Sequence, residues 1–130
     1  MANEAEPARV AVIGLGYWGP NLVRNFAAAE GARLVAVCDL DEQAVARQLA
    51  QYPAARGSRD GDEIIAADDI DIVVVSTRPS DNYPIAKAAL EAGKHVFVCK
   101  PVSQIPEQAL ALAELAEARE LILHTDLTFL

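Results

Sequence analysis

The sequence is poor in positive charge. It has 11 Lys and Arg residues against 19 Asp and Glu residues, which gives a formal net charge of -8 at pH 7. A protein that binds nucleic acid needs a basic surface to displace the counterions of the phosphates, and so does a protein that binds an anionic membrane surface. The deficit therefore argues against both kinds of partner.

Long apolar runs and cysteines are also scarce. No run approaches the roughly 20 residues that span a bilayer, although the hydrophobic content of 52% is enough for one packed core. The first residues, MANEAEPAR, lack the apolar segment of a signal peptide, so we expect residues 1–8 to form a flexible tail. Two cysteines, Cys38 and Cys99, do not suggest a disulfide framework, and we expect a cytoplasmic protein.

Apolar segments alternate with helical patterns along the rest of the chain. The pattern predicts strands over residues 9–14, 33–39, 54–58, 71–77, 94–99 and 121–125. It predicts helices over residues 19–30, 41–52, 60–68, 83–93 and 106–120. Strands that are apolar on both faces and alternate with helices indicate a parallel sheet covered on both sides. We therefore expect a single α/β domain, a doubly wound Rossmann sheet with strand order 3-2-1-4-5-6.

Right-handed crossovers bring the carboxyl ends of all these strands to one edge of the sheet, where such folds bind their ligands. The residues expected at that edge are Gly14, Asp39, Thr77, Cys99, Lys100 and Asp126.

The segment GLGYWG spaces three glycines as Gly14-x-Gly16-x-x-Gly19. It follows a predicted strand and opens a predicted helix, which is the context in which this spacing binds a dinucleotide. Gly14 permits the tight turn, Gly16 lets the backbone approach a pyrophosphate, and Gly19 lets the helix pack closely. The helix N-terminus adds N–H donors for the phosphates. The alternative is a glycine turn that serves only strand–helix packing.

Asp39 ends the second predicted strand, 20 residues after Gly19. A carboxylate at this point can accept hydrogen bonds from both ribose hydroxyls and repels a 2′-phosphate, and no arginine follows it in CDLDEQ. We therefore predict NAD, rather than NADP, as the cofactor. The alternative is that Asp39 only caps the turn before the next helix, a role that Asp41 can fill instead.

Five segments resemble the motifs of a known family: GLGYWGPNLVRNF, AVCDLD, IVVVST, AKAALEAGKHVFVCKP and DLTFL. Together they resemble the N-terminal domain of the Gfo/Idh/MocA oxidoreductases, and in particular the sugar-nucleotide dehydrogenase-like members with GYWG loops. The resemblance covers residues 9–130. It implies an NAD(P)-binding Rossmann domain, a larger substrate domain after it, and hydride transfer between the cofactor and a hydroxyl carbon of a sugar or polyol. Because the chain stops where the substrate domain would begin, we expect a truncated or redesigned domain.

The resemblance also implies roles for individual residues. Asp39 and Leu40 would flank the adenosine, and Lys100 would be the lysine of a Glu-Lys-Pro motif, whose ammonium polarises the substrate hydroxyl. Lys100 is thus the candidate catalytic residue. The implied cofactor-binding residues are Gly14, Gly16, Tyr17, Trp18, Gly19, Asp39, Leu40, Ser76, Thr77, Asn82, Cys99 and Lys100.

Three departures from the family pattern fall at the nicotinamide end of this site. Cys99 stands where the family has the glutamate of Glu-Lys-Pro, Asn82 stands where a histidine is common, and Leu127 replaces the histidine of a DHTF pattern. The glycine loop and Asp39 are intact. We therefore expect cofactor binding with little or no turnover. We also expect a homo-oligomer, because the surface that the absent domain normally buries would be uncovered and such surfaces tend to be covered by another subunit.

Two other kinds of function remain open at this stage. Cys99, His124 and Asp126 come from neighbouring strand ends and could form a thiol nucleophile or a metal site, although no recognised spacing supports either, and we predict no metal. The chain could also be a non-catalytic cofactor-binding or assembly module. We expect His124 to be a core histidine, Lys94 to be a surface residue, and Leu110 to face the core.

Overall fold

The computed structural model describes residues 6–101 and 103–126, and over these it has six strands and five helices. The strands are β1 (Ala8–Ile13), β2 (Ala32–Cys38), β3 (Arg56–Ser58), β4 (Ile72–Val75), β5 (His95–Cys99) and β6 (Leu123–Asp126). The helices are α1 (Gly19–Ala28), α2 (Glu42–Gln51), α3 (Gly61–Ala66), α4 (Pro79–Glu91) and α5 (Pro106–Ala118). β1 begins one residue before the predicted start, and residues 1–5 of the expected tail lie outside the described residues.

All six strands form one sheet in the order β3-β2-β1-β4-β5-β6, and every neighbouring pair is parallel. This confirms the predicted doubly wound fold and its strand order. The order reverses between β1 and β4, so the loops that follow these two strands diverge and leave a crevice at the carboxyl edge.

Hydrophobic side chains cover both faces of the sheet. Val73, Val75 and Val98 pack with residues of α3, α4 and α5 on one face, while Val10 and Val12 pack with residues of α1 and α2 on the other. All five valines are fully buried, and burial of each such side chain stabilises the fold by about 1.5–3 kcal/mol. Burial on both faces explains why these strands are continuous apolar runs in the sequence.

Helix α4 begins four residues earlier than predicted. It starts at Pro79, so Pro84 lies inside the helix and not in its first turn. Both prolines are compatible with a helix start because their φ angle is fixed near the helical value. The contact of the Asn82 amide oxygen with the N–H of Thr77, at 3.2 Å, holds the added first turn against the end of β4.

Three side chains lie elsewhere than expected. Lys94 is only 8% exposed, and its ammonium donates to the carbonyl oxygens of Ala67 and Ile70, which satisfies a charge that would otherwise be costly to bury. His124 is exposed. Leu110 is also exposed, because α5 turns Leu112 toward the core instead.

Within the described ranges, no helix combines the length and the apolar character that crossing a bilayer would require.

Candidate functional site

A cleft of about 880 Å³ opens at the carboxyl edge of the sheet, between the loops that follow strands β1 to β5. Most of the predicted site residues line it: Gly14, Gly16, Tyr17, Trp18, Asp39, Leu40, Ser76, Thr77, Cys99 and Lys100. The structure thus brings together residues that are spread over most of the sequence. The predicted residues Gly19 and Asn82 do not line the cleft, and two arginines that the motifs did not include, Arg59 and Arg78, do.

The three glycines of the loop meet different requirements. Gly14 has a φ of 101°, and a side chain there would clash with the carbonyl oxygen of Ser76. A side chain at Gly19 would clash with the carbonyl oxygen of Gly14. By contrast, a Cβ at Gly16 would meet nothing within 4 Å. The protein's own packing therefore explains Gly14 and Gly19, whereas Gly16 leaves open space in the wall of the cleft.

Helix α1 begins at the last glycine of this loop, and its N-terminus has no side-chain cap from Trp18. The N-cap residue is Trp18, whose side chain makes no capping hydrogen bond. The N-terminus of a helix favours an anion through its first N–H groups and its dipole, although here Pro20 has no N–H and the N–H of Asn21 donates to the carbonyl oxygen of Trp18 at 3.0 Å. Trp18 is part of the cleft wall, and the neighbouring Tyr17 is 96% exposed. The open space at Gly16 and the uncapped helix end fit the pyrophosphate of a dinucleotide.

Asp39 joins the end of β2 to the glycine loop. One carboxylate oxygen accepts a hydrogen bond from the N–H of Leu15 at 2.6 Å, and the other accepts one from the N–H of Asp41 at 2.8 Å. A carboxylate has about four acceptor positions, so capacity remains for ribose hydroxyls. The capping role falls to Asp41, which accepts a hydrogen bond from the N–H of Gln43 at 3.0 Å at the start of α2.

Asn82 lies behind the cleft and is 1% exposed. Its amide oxygen accepts hydrogen bonds from the N–H and the hydroxyl of Thr77, at 3.2 and 2.6 Å. Its amide nitrogen donates to the carbonyl oxygens of Cys99 and Pro101, at 3.2 and 2.9 Å. Asn82 therefore connects the end of β4 to the residues on either side of Lys100, and its contacts are to the protein.

The end of β5 supplies Cys99 and Lys100 to the cleft, and the bond between Lys100 and Pro101 is cis. In the register of the two edge strands, Cys99 is opposite Asp126 and Phe97 is opposite His124. The strand ends of the alternative thiol or metal site are thus adjacent.

The imidazole of His124, however, stacks on the ring of Phe97 with the ring centroids 5.0 Å apart. Over residues 6–101 and 103–125, no group of three or more His, Cys, Asp or Glu side chains is arranged to hold a metal ion.

Cys38 also lines the cleft, and it is buried. Burial, together with the smaller effect of the nearby carboxylates of Asp39, Asp60 and Glu63, raises the pKa of its thiol to about 11. The thiolate is the reactive form of cysteine, so Cys38 is inert at neutral pH. Neither Cys38 nor Cys99 forms a disulfide.

Comparison with known proteins agrees with this geometry. A glycosyl hydrolase family 109 protein from Shewanella amazonensis is 37% identical over 118 residues, which are 84% of this chain and 26% of that protein. The solved structure of biliverdin reductase from Synechocystis, in complex with biliverdin and NADP+, has a TM-score of 0.87 and 28% identity over 92% of this chain and 38% of that one. Myo-inositol 2-dehydrogenase from Lactobacillus plantarum has a TM-score of 0.86 at 23% identity, over 93% and 36% of the two chains, and supports the fold alone.

The chain thus spans about a quarter of the length of the curated relative and just over a third of the solved neighbours. The model of the Gfo/Idh/MocA family, described as an oxidoreductase family with an NAD-binding Rossmann fold, matches residues 8–127. This chain therefore belongs to the Gfo/Idh/MocA oxidoreductase family and contains its NAD-binding Rossmann domain.

Proposed function

We propose that this chain is the NAD(H)-binding part of an oxidoreductase that moves hydride between the cofactor and a hydroxyl carbon of a sugar or polyol. By itself, we expect it to bind the cofactor with little or no turnover. The observation that carries the proposal is the convergence of the glycine loop, Asp39 and Lys100 on one cleft. The name of the 37% identical relative, a glycosyl hydrolase, supports a carbohydrate as the substrate class.

The cofactor would lie across the cleft from the end of β2 to the end of β5. Its pyrophosphate would sit at the uncapped N-terminus of α1, beside the open space at Gly16. The ribose hydroxyls next to the adenine would donate to the acceptor positions of Asp39 that the backbone leaves unused. Leu40, which is exposed at the rim of the cleft, would cover one face of the adenine.

Lys100 is the residue that we assign to the reacting end. NAD, when bound, supplies the hydride acceptor. An ammonium beside the substrate hydroxyl stabilises the developing negative charge on its oxygen, which makes it easier for the hydroxyl to lose its proton to water as the hydride leaves. The hydrogen bonds of Asn82 to the carbonyl oxygens of Cys99 and Pro101 would hold Lys100 in place on that side of the cleft.

Low turnover is expected because of the group next to Lys100. The family's glutamate could accept and pass on a proton, whereas Cys99 carries no carboxylate. General acid–base groups contribute about 10²–10⁴-fold to rate, so the loss of one proton acceptor could by itself reduce turnover by that factor. The glycine loop and Asp39 are not affected by this change.

Calorimetric titration of the 130-residue chain with NADH, NAD and NADP tests the binding proposal. Quenching of the fluorescence of Trp18, the only tryptophan of the chain, gives a second signal. Trp18 is in the cleft wall, so NADH should quench its emission. No heat and no quenching at millimolar NADH would refute the proposal. Absorbance at 340 nm with a panel of sugars and polyols should stay nearly constant, and rapid NADH formation would refute the expectation of low turnover.

We further propose that the chain forms a homo-oligomer and resides in the cytoplasm. Exposed apolar side chains such as Leu110 and Ile122 support the first proposal, and two cysteines that are not disulfide-bonded support the second. Light scattering at several protein concentrations tests the oligomer, and a constant monomer mass would contradict it. Fractionation of cells that express the protein tests the compartment.

A further inference from the structure

Arg59 enters the cleft from β3, a strand that the glycine-loop motif does not include. Ser58 of β3 is opposite Cys38 of β2, and the N–H of Asp39 donates to the carbonyl oxygen of Ser58 at 3.2 Å. Arg59 and Asp39 are the next residues along the two strands. They therefore lie side by side at the carboxyl edge, and both line the cleft together with Leu40.

Arg59 is not within ion-pair distance of any carboxylate of the described residues. Its Nε donates to the neutral carbonyl oxygen of Leu40 at 3.2 Å, and none of the ion pairs found in the described part of the chain includes it. Arg78, the other arginine of the cleft wall, differs because its Nε lies 3.2 Å from a carboxylate oxygen of Asp81. Arg59 is exposed, so its terminal N–H groups can turn toward an anionic ligand.

Asp39 opposes an anion at this position less strongly than its charge suggests. Both of its oxygens already accept backbone hydrogen bonds, from Leu15 at 2.6 Å and from Asp41 at 2.8 Å. Hydrogen bonds from backbone N–H groups stabilise a carboxylate and fix its orientation. A phosphate that approaches from the β3 side would meet the planar guanidinium of Arg59 first, and this group matches phosphate in a two-point geometry.

We propose that Arg59 contacts the 2′ position of the adenosine ribose and gives the site substantial affinity for NADPH in addition to NADH. This inference rests on the proposed function, because it requires the adenosine to lie against Asp39 and Leu40. The sequence around Asp39 predicted NAD rather than NADP, because no arginine follows Asp39 along the chain. In the folded sheet, however, an arginine lies beside Asp39 at the end of the neighbouring strand β3.

Calorimetric titration of the 130-residue chain and of Arg59→Ala with NADH and with NADPH tests the proposal. A charge-assisted contact to a phosphate corresponds to about tenfold or more in affinity. Arg59→Ala should therefore raise the Kd for NADPH by about tenfold or more, and the Kd for NADH by less than about threefold. Arg59→Lys, which keeps the charge but not the fork geometry, should lose less NADPH affinity than Arg59→Ala.

Arg33→Ala is the matched control, because Arg33 is an exposed arginine near the start of β2, at the end of the strand away from the cleft. It makes the same change in net charge and should leave both Kd values unchanged. If Arg59→Ala weakens both cofactors equally, or leaves NADPH affinity intact, or if the unaltered chain binds NADH but not NADPH, the inference is wrong and the proposed function stands. If the unaltered chain fails to bind NADH, the proposed function itself fails.

Discussion

Replacement of Asn82 should destabilise the protein more than any other single polar substitution in the cleft region, because one buried side chain joins the ends of two strands. It makes four hydrogen bonds, two from Thr77 to its amide oxygen and two from its amide nitrogen to the carbonyls of Cys99 and Pro101. Each such bond contributes about 1 kcal/mol net. Because the Thr77 hydroxyl can turn to another acceptor and water can enter part of the space, Asn82→Ala should lower the free energy of unfolding by about 2–4 kcal/mol.

The substitution Asn82→Asp tests the direction of these bonds. The new side chain has the same shape and can still accept from Thr77, but it presents a second acceptor to two carbonyl oxygens. Because an ionised carboxylate there is buried and repelled, its folded pKa lies above the unfolded value of about 3.9. The stability of the variant is therefore fully present below about pH 4 and is lost as the pH rises through the folded pKa. We expect the deficit relative to the unaltered chain to be about 2 kcal/mol larger at pH 7 than at pH 4.

Urea unfolding followed by circular dichroism at pH 7 and pH 4 measures both effects. Asn25→Ala is the matched control, because Asn25 is exposed on α1 and its replacement should change the free energy of unfolding by less than about 0.5 kcal/mol. The reasoning is refuted if Asn82→Ala costs no more than this control. It is also refuted if Asn82→Asp shows the same deficit at both pH values.

Two other predictions concern the ends of the sheet. The Arg9 side chain and N–H hold the pKa of Asp71 at about 2. Because the Asp71 side chain is 39% exposed and the interaction is screened by solvent, Asp71→Asn should lower the free energy of unfolding by about 1 kcal/mol at pH 7. This effect should disappear as the pH falls from about 4 toward 2, and an equal loss of stability in urea unfolding at pH 2 would contradict the prediction. At the glycine loop, Gly19→Ala should lower the midpoint of thermal unfolding, because the added Cβ would clash with the backbone. Gly16→Ala should leave this midpoint nearly unchanged and weaken NADH binding. Equal effects of the two substitutions on stability would contradict the assignment of Gly16 to the ligand.

The fold was predictable because its main signals are local and strong. The central strands β1 and β4 are buried on both faces, so segments such as residues 71–77 appear as apolar runs whatever their neighbours. The alternation of strands and helices and the fixed hand of the crossovers then leave only a few strand orders, of which the observed one is a common doubly wound order. The start of α4 was less predictable, because Pro79 and Pro84 are both acceptable in the first turn of a helix.

The core-facing side of α5 was mispredicted for a similar reason. Alanine and leucine occur all around this helix, so the positions alone do not separate Leu110, which is exposed, from Leu112, which is buried. The choice is made by contact with α4, whose Ala89 and Leu90 belong to the same buried cluster as Leu112. A helix of this composition has a defined apolar face only once its neighbour is present.

The parts of the candidate site that the sequence could not reveal are contacts between elements that are far apart in the chain. The motif residues Gly14 and Asp39 follow their own strands directly, so their position at the sheet edge follows from local pattern. The roles of Asn82 and Arg59 depend instead on what lies beside them, the loop after β5 for the first and the end of β2 for the second. The same distinction separates ligand binding from its support, because the motif residues Gly14, Gly16 and Asp39 line the open cleft, while Asn82 is buried behind it. Substitutions at the motif positions should therefore act mainly on cofactor affinity where the space is open, as at Gly16, and substitutions at the supporting positions should act first on stability.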